Sequence, residues 1–480
     1  MTARNKMRAN AILAVSAGLA LRLFFVLKFP ATGSGDAPFY IELAWNWLKK
    51  GVYGGVVNGQ LMPLDTRAPG YPAFLAAVFS VAGNSSRAVM LAQVAVDLGA
   101  CFLIALIAAR LAPEASRRRA AMAGLWLAAL CPFTANYAAV VLTETLVTFL
   151  TALAIVLVLE AHRNAASGVA TNPAGFAARG FSAWFLAGVV AGFGALVRPE
   201  TPLLLLAVGL VLVVKWRRPA DWLKLVRAGA LMAAGLVMPL VPWAARNWKT
   251  LHEVQFLAPR YLQAAGEYTP LGFDAWTRTW LWRYGDVYLA NWKVDYEEIP
   301  IDSLPARAFD SPAERERIAN VLEPYNDTLT LTPEQDAVFR EIGRERTARD
   351  PLRTYVKIPL LRSLAMWFTP RVELLPFSGH LWPLAREWQD DRTDFLVSLS
   401  LLLLNAAFVA IALGGAWMAR RRPGWAFLIV FALVRTAFFA GFIETPEPRY
   451  VLECFPVVIA LGAQVFCGGV SSLRPARDES

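Results

Sequence analysis

Ten apolar blocks recur along this chain, and their lengths leave few folds open. They cover residues 10–27, 88–109, 120–134, 137–159, 181–197, 201–214, 228–245, 395–417, 425–442 and 450–468. A helix needs about 20 apolar residues to cross a bilayer, and most of the blocks approach that length; 120–134 and 201–214 are short. Charged residues make up 18% of the chain, against roughly a quarter in soluble domains, and the deficit falls in the blocks. The pattern predicts an all-α polytopic membrane protein with about ten crossings, up to thirteen. The first block is flanked by Arg4, Lys6 and Arg8 and has no small-x-small cleavage site before Asp36, so it reads as a retained anchor. Cys101, Cys131, Cys454 and Cys467 lie in or near the blocks and read as small hydrophobes, not disulfides or metal ligands.

The net charge of +10 is sorted. Residues 248–395 hold 18 basic and 23 acidic side chains, and the remainder holds 29 basic and 14 acidic. Basic clusters lie between blocks, at Arg117-Arg118-Arg119, Lys215 to Arg227, Arg420-Arg421-Arg422 and the tail with Arg474 and Arg477. The positive-inside rule makes these cytoplasmic, which explains the charge without nucleic acid. Both termini then lie inside, loop 161–179 falls inside, and loops 28–86, 248–394 and 443–449 fall outside. This parity requires 69–83 to lie at the outer interface. Residues 354–370 pose the same choice between interfacial helix and crossing.

Three regions follow. Residues 1–247 form an N-terminal membrane module that includes outer loop 28–86. Residues 248–393 form an acidic, mostly extracytoplasmic loop or small subdomain. Residues 394–480 return to the membrane and end in a cytoplasmic tail. Tract 161–180 reads as a loop, and Thr332 is positioned to cap a helix running to about Arg349.

Ionisable groups at span ends are costly and usually face a cavity. Parity gathers many of them at one level. Asp36 and Glu42 lie in the first outer loop, and Glu144 sits two turns into a span entered from outside. Arg198 and Glu200 lie in an outer turn, Arg246 ends a span, and Glu444, Glu447 and Arg449 precede the last block. Asp36 is a candidate general base, or equally the cap of a helix opening at Pro38. Arg67, Arg198, Arg246 and Arg449 suit bidentate binding of a phosphate; Arg246 and Arg449 also suit snorkelling at the interface. Tyr40, Tyr71, Trp243 and Tyr450, with Trp45 and Trp47, suit a sugar or a lipid groove, or an interfacial belt. His252 and His380 stand alone, without metal-ligand spacing.

Five segments carry a resemblance. They are Gly35-Asp36 followed by Tyr40; Arg67 through Pro72; Thr143-Glu144-Thr145-Leu146; Pro242-Trp243-Ala244-Ala245-Arg246-Asn247; and Glu447-Pro448-Arg449-Tyr450 followed by Pro456. In this order the chain resembles the GT-C superfamily of membrane glycosyltransferases. The similar branch is that of bacterial dolichyl-phosphate-mannose-protein mannosyltransferase-like proteins and lipid A aminoarabinose transferases. The resemblance implies transfer of a sugar from a polyprenyl phosphate, undecaprenyl phosphate in bacteria, to a lipid, glycan or protein acceptor at the periplasmic face of the inner membrane. It implies Asp36 as base, Glu144 as a second site acid, phosphate held by arginines, and Tyr40, Tyr71, Trp243, Glu447 and Tyr450 around the substrates. With no second acid beside Asp36, no required divalent metal or other cofactor is expected. A transporter or flippase of lipid-linked sugar is the competing reading; it predicts charge near mid-membrane and repeated broken helices, neither of which the sequence displays.

Overall fold

A computed structural model describes residues 3–31, 33, 35–57, 59–166, 173–259 and 268–467. Among the described residues, six helical segments are long and apolar enough to cross a membrane: Arg4–Lys28, Ser86–Leu111, Glu144–Asn164, Arg392–Ala419, Trp425–Phe442 and Pro448–Cys467. A seventh crossing is available if Pro219–Val237 and Val241–Leu251, bent by 44°, act as one. Pro173–Val197, at 25 residues, is a further helix of spanning length. Arg117–Ala129 and Leu203–Lys215 are 13 residues each, about 20 Å at 1.5 Å per residue, against a hydrocarbon core of about 30 Å. Gly70–Ala82 is also 13 residues, too short to cross, as the sidedness parity requires; Ile358–Trp367 continues a helical run that opens at Pro351 and passes through a π turn at Arg353–Lys357. Tract 161–180 differs from a loop: one helix continues to Ala166 and the next begins at Pro173. The Arg474 and Arg477 tail lies outside the described residues.

Small residues let these helices approach closely, as is usual where lipid provides no hydrophobic drive between them. The helix ending at Val197 packs against Trp222–Val237 through Gly188 and Gly235. A Cβ at Gly188 would fall 2.3 Å from the Met232 carbonyl oxygen, and one at Gly235 would fall 2.2 Å from that of Phe185. All four cysteines are buried and unpaired. An ion pair also sits in this apolar body: Arg22 meets Asp97 at 2.7 Å and donates to the Ala128 and Ala129 carbonyls at 3.2 and 2.7 Å.

Residues 268–349 fold on a core of their own, built around Phe273, Trp276, Trp280, Tyr325 and Phe339. Thr332 closes a capping box with Gln335 at the start of Pro333–Arg349, satisfying two orphan donors reciprocally. Asp336 then accepts from the Gly272 and Phe273 amides at 2.9 and 2.8 Å, so one helix caps another. Buried Arg362 joins this unit to the bundle: it donates to the Leu281 carbonyl at 2.8 Å and to that of Ile443 at 3.1 Å.

The loop between the first two long helices is also built. Ala37–Lys50 leads into an antiparallel hairpin, Gly54–Val57 with Gln60–Pro63, and then into Gly70–Ala82. Gly59 turns the hairpin at φ 78°, a conformation glycine adopts without Cβ strain.

Candidate active site

A cavity of about 1000 Å³ opens where this loop, the start of Glu144–Ala166, the 198–203 turn and the 443–450 turn converge. Its lining includes the charged side chains of Asp36, Arg67, Glu144, Arg198 and Arg449 and the apolar ones of Leu142, Leu203, Leu206, Phe438, Phe439 and Phe442. Asp274, Asn291 and Trp292 reach the rim from the 268–349 unit, which an ion pair between Arg278 and Glu444 fastens beside them.

Asp36 occupies the N-cap position of Ala37–Lys50, yet its side chain caps no backbone amide. Instead Oδ1 accepts from Arg67 at 2.7 Å; among the described residues Oδ2 has no hydrogen-bond partner. Burial pushes this carboxyl up, but Arg67, Arg449 and Arg198 outweigh burial and hold it below the usual carboxylate range. The Arg67 guanidinium lies over Phe39 and Tyr40, 5.4 and 5.9 Å from the ring centres. Tyr40 lines the cavity; burial, then the nearby Asp36 charge, raises its phenol to about 12.

Glu144 is almost wholly buried. It accepts from Arg198 at 2.9 Å and lies 3.9 Å from Arg449. Arg198 has two further acids in reach, Glu200 at 3.7 Å and Glu453 at 3.8 Å. Burial opposes its charge, but Glu200, Glu144 and Glu453 together raise its pKa and keep it protonated. Arg449 also pairs with Glu447 at 2.5 Å. The Tyr450 ring stacks on Phe439 at 4.3 Å, and its hydroxyl donates to Glu447 at 2.8 Å.

Four expected residues do not line the cavity. Arg246, expected to bind phosphate, donates to the Leu64 and Tyr53 carbonyls at 2.9 and 2.6 Å and lies over the Tyr53 and Trp243 rings. It clamps the hairpin. Trp243 is buried beside Tyr53, with ring centres 5.1 Å apart. Tyr71 is wholly buried, donating to Gln93 at 2.7 Å and backing Tyr40 edge-on at 5.2 Å. Glu447 sits behind Arg449 and Tyr450. Glu42 likewise supports the hairpin, accepting the Val56 amide at 2.9 Å.

Sequence reasoning missed Arg435 and Glu453. They pair at 2.5 Å, with Thr151 donating to Glu453 at 3.2 Å. Both stand inside apolar blocks, and a lone charge there is itself a signal. Trp292, Asn291 and Asp274 carry no comparable signal, because only tertiary folding brings them to the rim.

Residues 66–243 match the family described as Dolichyl-phosphate-mannose-protein mannosyltransferase. That stretch includes Arg67, Glu144 and Arg198, and leaves Asp36 and Arg449 outside. No curated protein matches the sequence. Among solved structures, the chain is similar to the oligosaccharyltransferase of Archaeoglobus fulgidus tethered with an acceptor peptide (TM-score 0.51, 12% identity, covering 97% of this chain and 49% of that one). It is equally similar to the AglB oligosaccharyltransferase of that organism in complex with an inhibitory peptide and a dolichol-phosphate (0.51, 12%, 96% and 50%). ArnT of Cupriavidus metallidurans bound to undecaprenyl phosphate aligns at TM-score 0.40 and 12% identity, covering 95% of this chain and 77% of that one. The chain spans about half the length of the archaeal proteins it matches.

Proposed function

We propose a glycosyl-transfer function for this chain, which by fold is a multi-pass member of the GT-C superfamily of membrane glycosyltransferases. The substrate is a sugar carried on a polyprenyl phosphate, and the acceptor is a hydroxyl of a lipid or glycan, or a protein side chain. The observation that carries this reading is one cavity lined both by three arginines, Arg67, Arg198 and Arg449, and by apolar side chains such as Leu203, Leu206 and Phe438. A lipid-linked sugar needs both, because its phosphate is charged and its tail is not. The dolichol-phosphate complex of the archaeal protein of like fold supports this choice of donor.

In the proposed reaction Asp36 takes the proton of the acceptor hydroxyl as that oxygen bonds to the anomeric carbon. The bond from that carbon to the phosphate oxygen breaks, and polyprenyl phosphate leaves with the electron pair. Attack from the side opposite the phosphate gives inversion. Arg198 and Arg449 meet the negative charge growing on the phosphate, the kind of preorganised stabilisation that lowers such barriers. Glu144 touches both guanidiniums and acts as a positioning residue. The two acids given roles here do not fit a divalent cation: Asp36 is matched to Arg67 at 2.7 Å and Glu144 to Arg198 at 2.9 Å, so no step is routed through a metal. The positive-inside distribution supports a periplasmic site in a bacterial inner membrane.

Asp36→Asn tests the base. It preserves shape and a polar partner for Arg67, and general bases contribute about 10²–10⁴ in rate. We expect transfer from undecaprenyl-phosphate-linked sugar in proteoliposomes to fall by that factor, with expression and thermal stability kept. Wild-type rates in the variant would remove Asp36 from the mechanism. Mass spectrometry of envelope lipids and glycans from cells with and without the gene identifies sugar and acceptor.

A further inference from the structure

A second, smaller cavity of about 270 Å³ lies at the other end of the bundle. Glu144 opens its helix at the first cavity, and His162 on that helix lines the second. Eighteen residues at 1.5 Å each separate them by about 27 Å, close to the thickness of the hydrocarbon core. The second cavity therefore sits at the opposite membrane face.

Its chemistry is one-sided. Arg110, Arg117, Arg163 and Arg422 line it, and Glu114 is the one carboxylate among the lining residues. Glu160 serves Arg110 at 3.0 Å and Arg163 at 2.9 Å. Among the described residues Arg117 pairs only with the exposed Glu114, at 3.4 Å. Arg422 donates to the Gln464 side chain at 2.7 Å and to the Leu111 carbonyl at 3.3 Å, neither of which carries a formal charge. Part of this basic character serves the helices: Arg422 donates to the Leu111 carbonyl at 3.3 Å, at the end of Ser86–Leu111. Such capping does not require four guanidiniums around one concavity.

His162 adds an independent observation. The residue is 4% exposed, and the Lys215 ammonium lies 2.7 Å from its Nε2. A charged Lys can only donate, so Nε2 accepts and Nδ1 carries the ring proton. That buried Nδ1 has no hydrogen-bond partner among the described residues. A donor left so is costly unless an acceptor arrives.

We propose that this second cavity binds a phosphate group, either on an anionic lipid headgroup or free. Basic pockets between membrane helices on the cytoplasmic side suit such headgroups. The inference is independent of glycosyl transfer.

The test uses the full chain in detergent and reads its melting temperature with three probes: phosphatidylglycerol in mixed micelles, phosphatidylcholine in mixed micelles, and inorganic phosphate. Arg117 and Arg163 have side chains about half exposed (47% and 56%), so R117Q/R163Q should fold. R118Q/R119Q removes equal charge from exposed neighbours outside the cavity and serves as control. Phosphatidylglycerol should raise the melting temperature while phosphatidylcholine does not, and R117Q/R163Q should bind at least tenfold more weakly while the control keeps its response. The same variant dependence with inorganic phosphate alone would assign the site to free phosphate. Equal responses in R117Q/R163Q and wild type, or an equal loss in R118Q/R119Q, overturns the proposal.

Discussion

Glu144→Gln isolates what a buried carboxylate does when it touches two cations and no base. The substitution keeps the side chain's volume and removes only its charge. Loss of one partner from a buried ion pair commonly costs about 3–5 kcal/mol, because the other charge is left uncompensated. Here neither guanidinium is orphaned: Arg198 keeps Glu200 at 3.7 Å and Glu453 at 3.8 Å, and Arg449 keeps Glu447 at 2.5 Å. The cost should therefore fall to about 2 kcal/mol, below the usual penalty for a broken buried pair. The kinetic effect should be larger than a stability loss of that size implies. Freed from Glu144, the two arginines relax toward their remaining acids, which lie on different elements, and no longer meet one phosphate together. Misplacement by about 1 Å can cost on the order of 10²-fold in rate. The assay pairs initial transfer rates across donor concentrations with thermal inactivation of the same preparations. A fall in kcat of about that size with a shift of a few degrees is expected. Unchanged kcat with lowered stability would make Glu144 purely structural. A loss in the KM for acceptor alone would show that it contacts acceptor and not the arginines' ligand.

Three further predictions concern the same cavity. Because Arg67 and its neighbours hold Asp36 below the ordinary value of 3.8, the base stays ionised and the rate should fall only as pH drops through that depressed range; Arg67→Gln should move this acid limb to higher pH, and an unmoved limb in the rate profile would separate Asp36 from the rate. Arg246→Met should slow transfer and loosen the 53–64 hairpin in hydrogen exchange while leaving the KM for donor unchanged; a selective rise in that KM would restore Arg246 as a phosphate ligand. Treatment with EDTA should leave the rate unchanged, since Asp36, Glu144, Glu200 and Glu444 each lie against a guanidinium; loss of activity reversed by Mg²⁺ or Mn²⁺ would refute this.

Much of the arrangement was legible because membranes sort residues by depth. Loop parity alone brings Asp36, Glu144, Arg198 and Arg449 to one level, and all four line one cavity. The helix cap at Thr332 was legible because its signals are local in sequence. Arg246 was not, since its partners are backbone carbonyls of a hairpin 182 and 193 residues away. No side-chain pattern announces such a contact. The same holds for Tyr71, whose hydroxyl is committed to Gln93. Helix ends were less legible, because composition reads apolar length and not where a helix stops: Leu203–Lys215 ends at 13 residues.

The clamp on the hairpin has a consequence for how variants of this protein will be interpreted. Asp36 and Arg67 flank a segment of some thirty residues, and closing a loop of that size carries an entropic cost that grows only slowly with length. That cost is met away from the cavity, by the Asn46 amide on the Gly54 carbonyl at 3.0 Å, the Tyr53 hydroxyl on the Arg67 carbonyl at 2.8 Å, and Arg246 on two more carbonyls. A mutational scan scored by activity alone will therefore rank Asn46, Tyr53 and Arg246 beside the residues that meet substrate. Only measurements that separate a disordered loop from a missing ligand will tell scaffold from chemistry. The same dependence makes the hairpin a target: a binder that pries it from Arg246 could silence the site without entering the cavity.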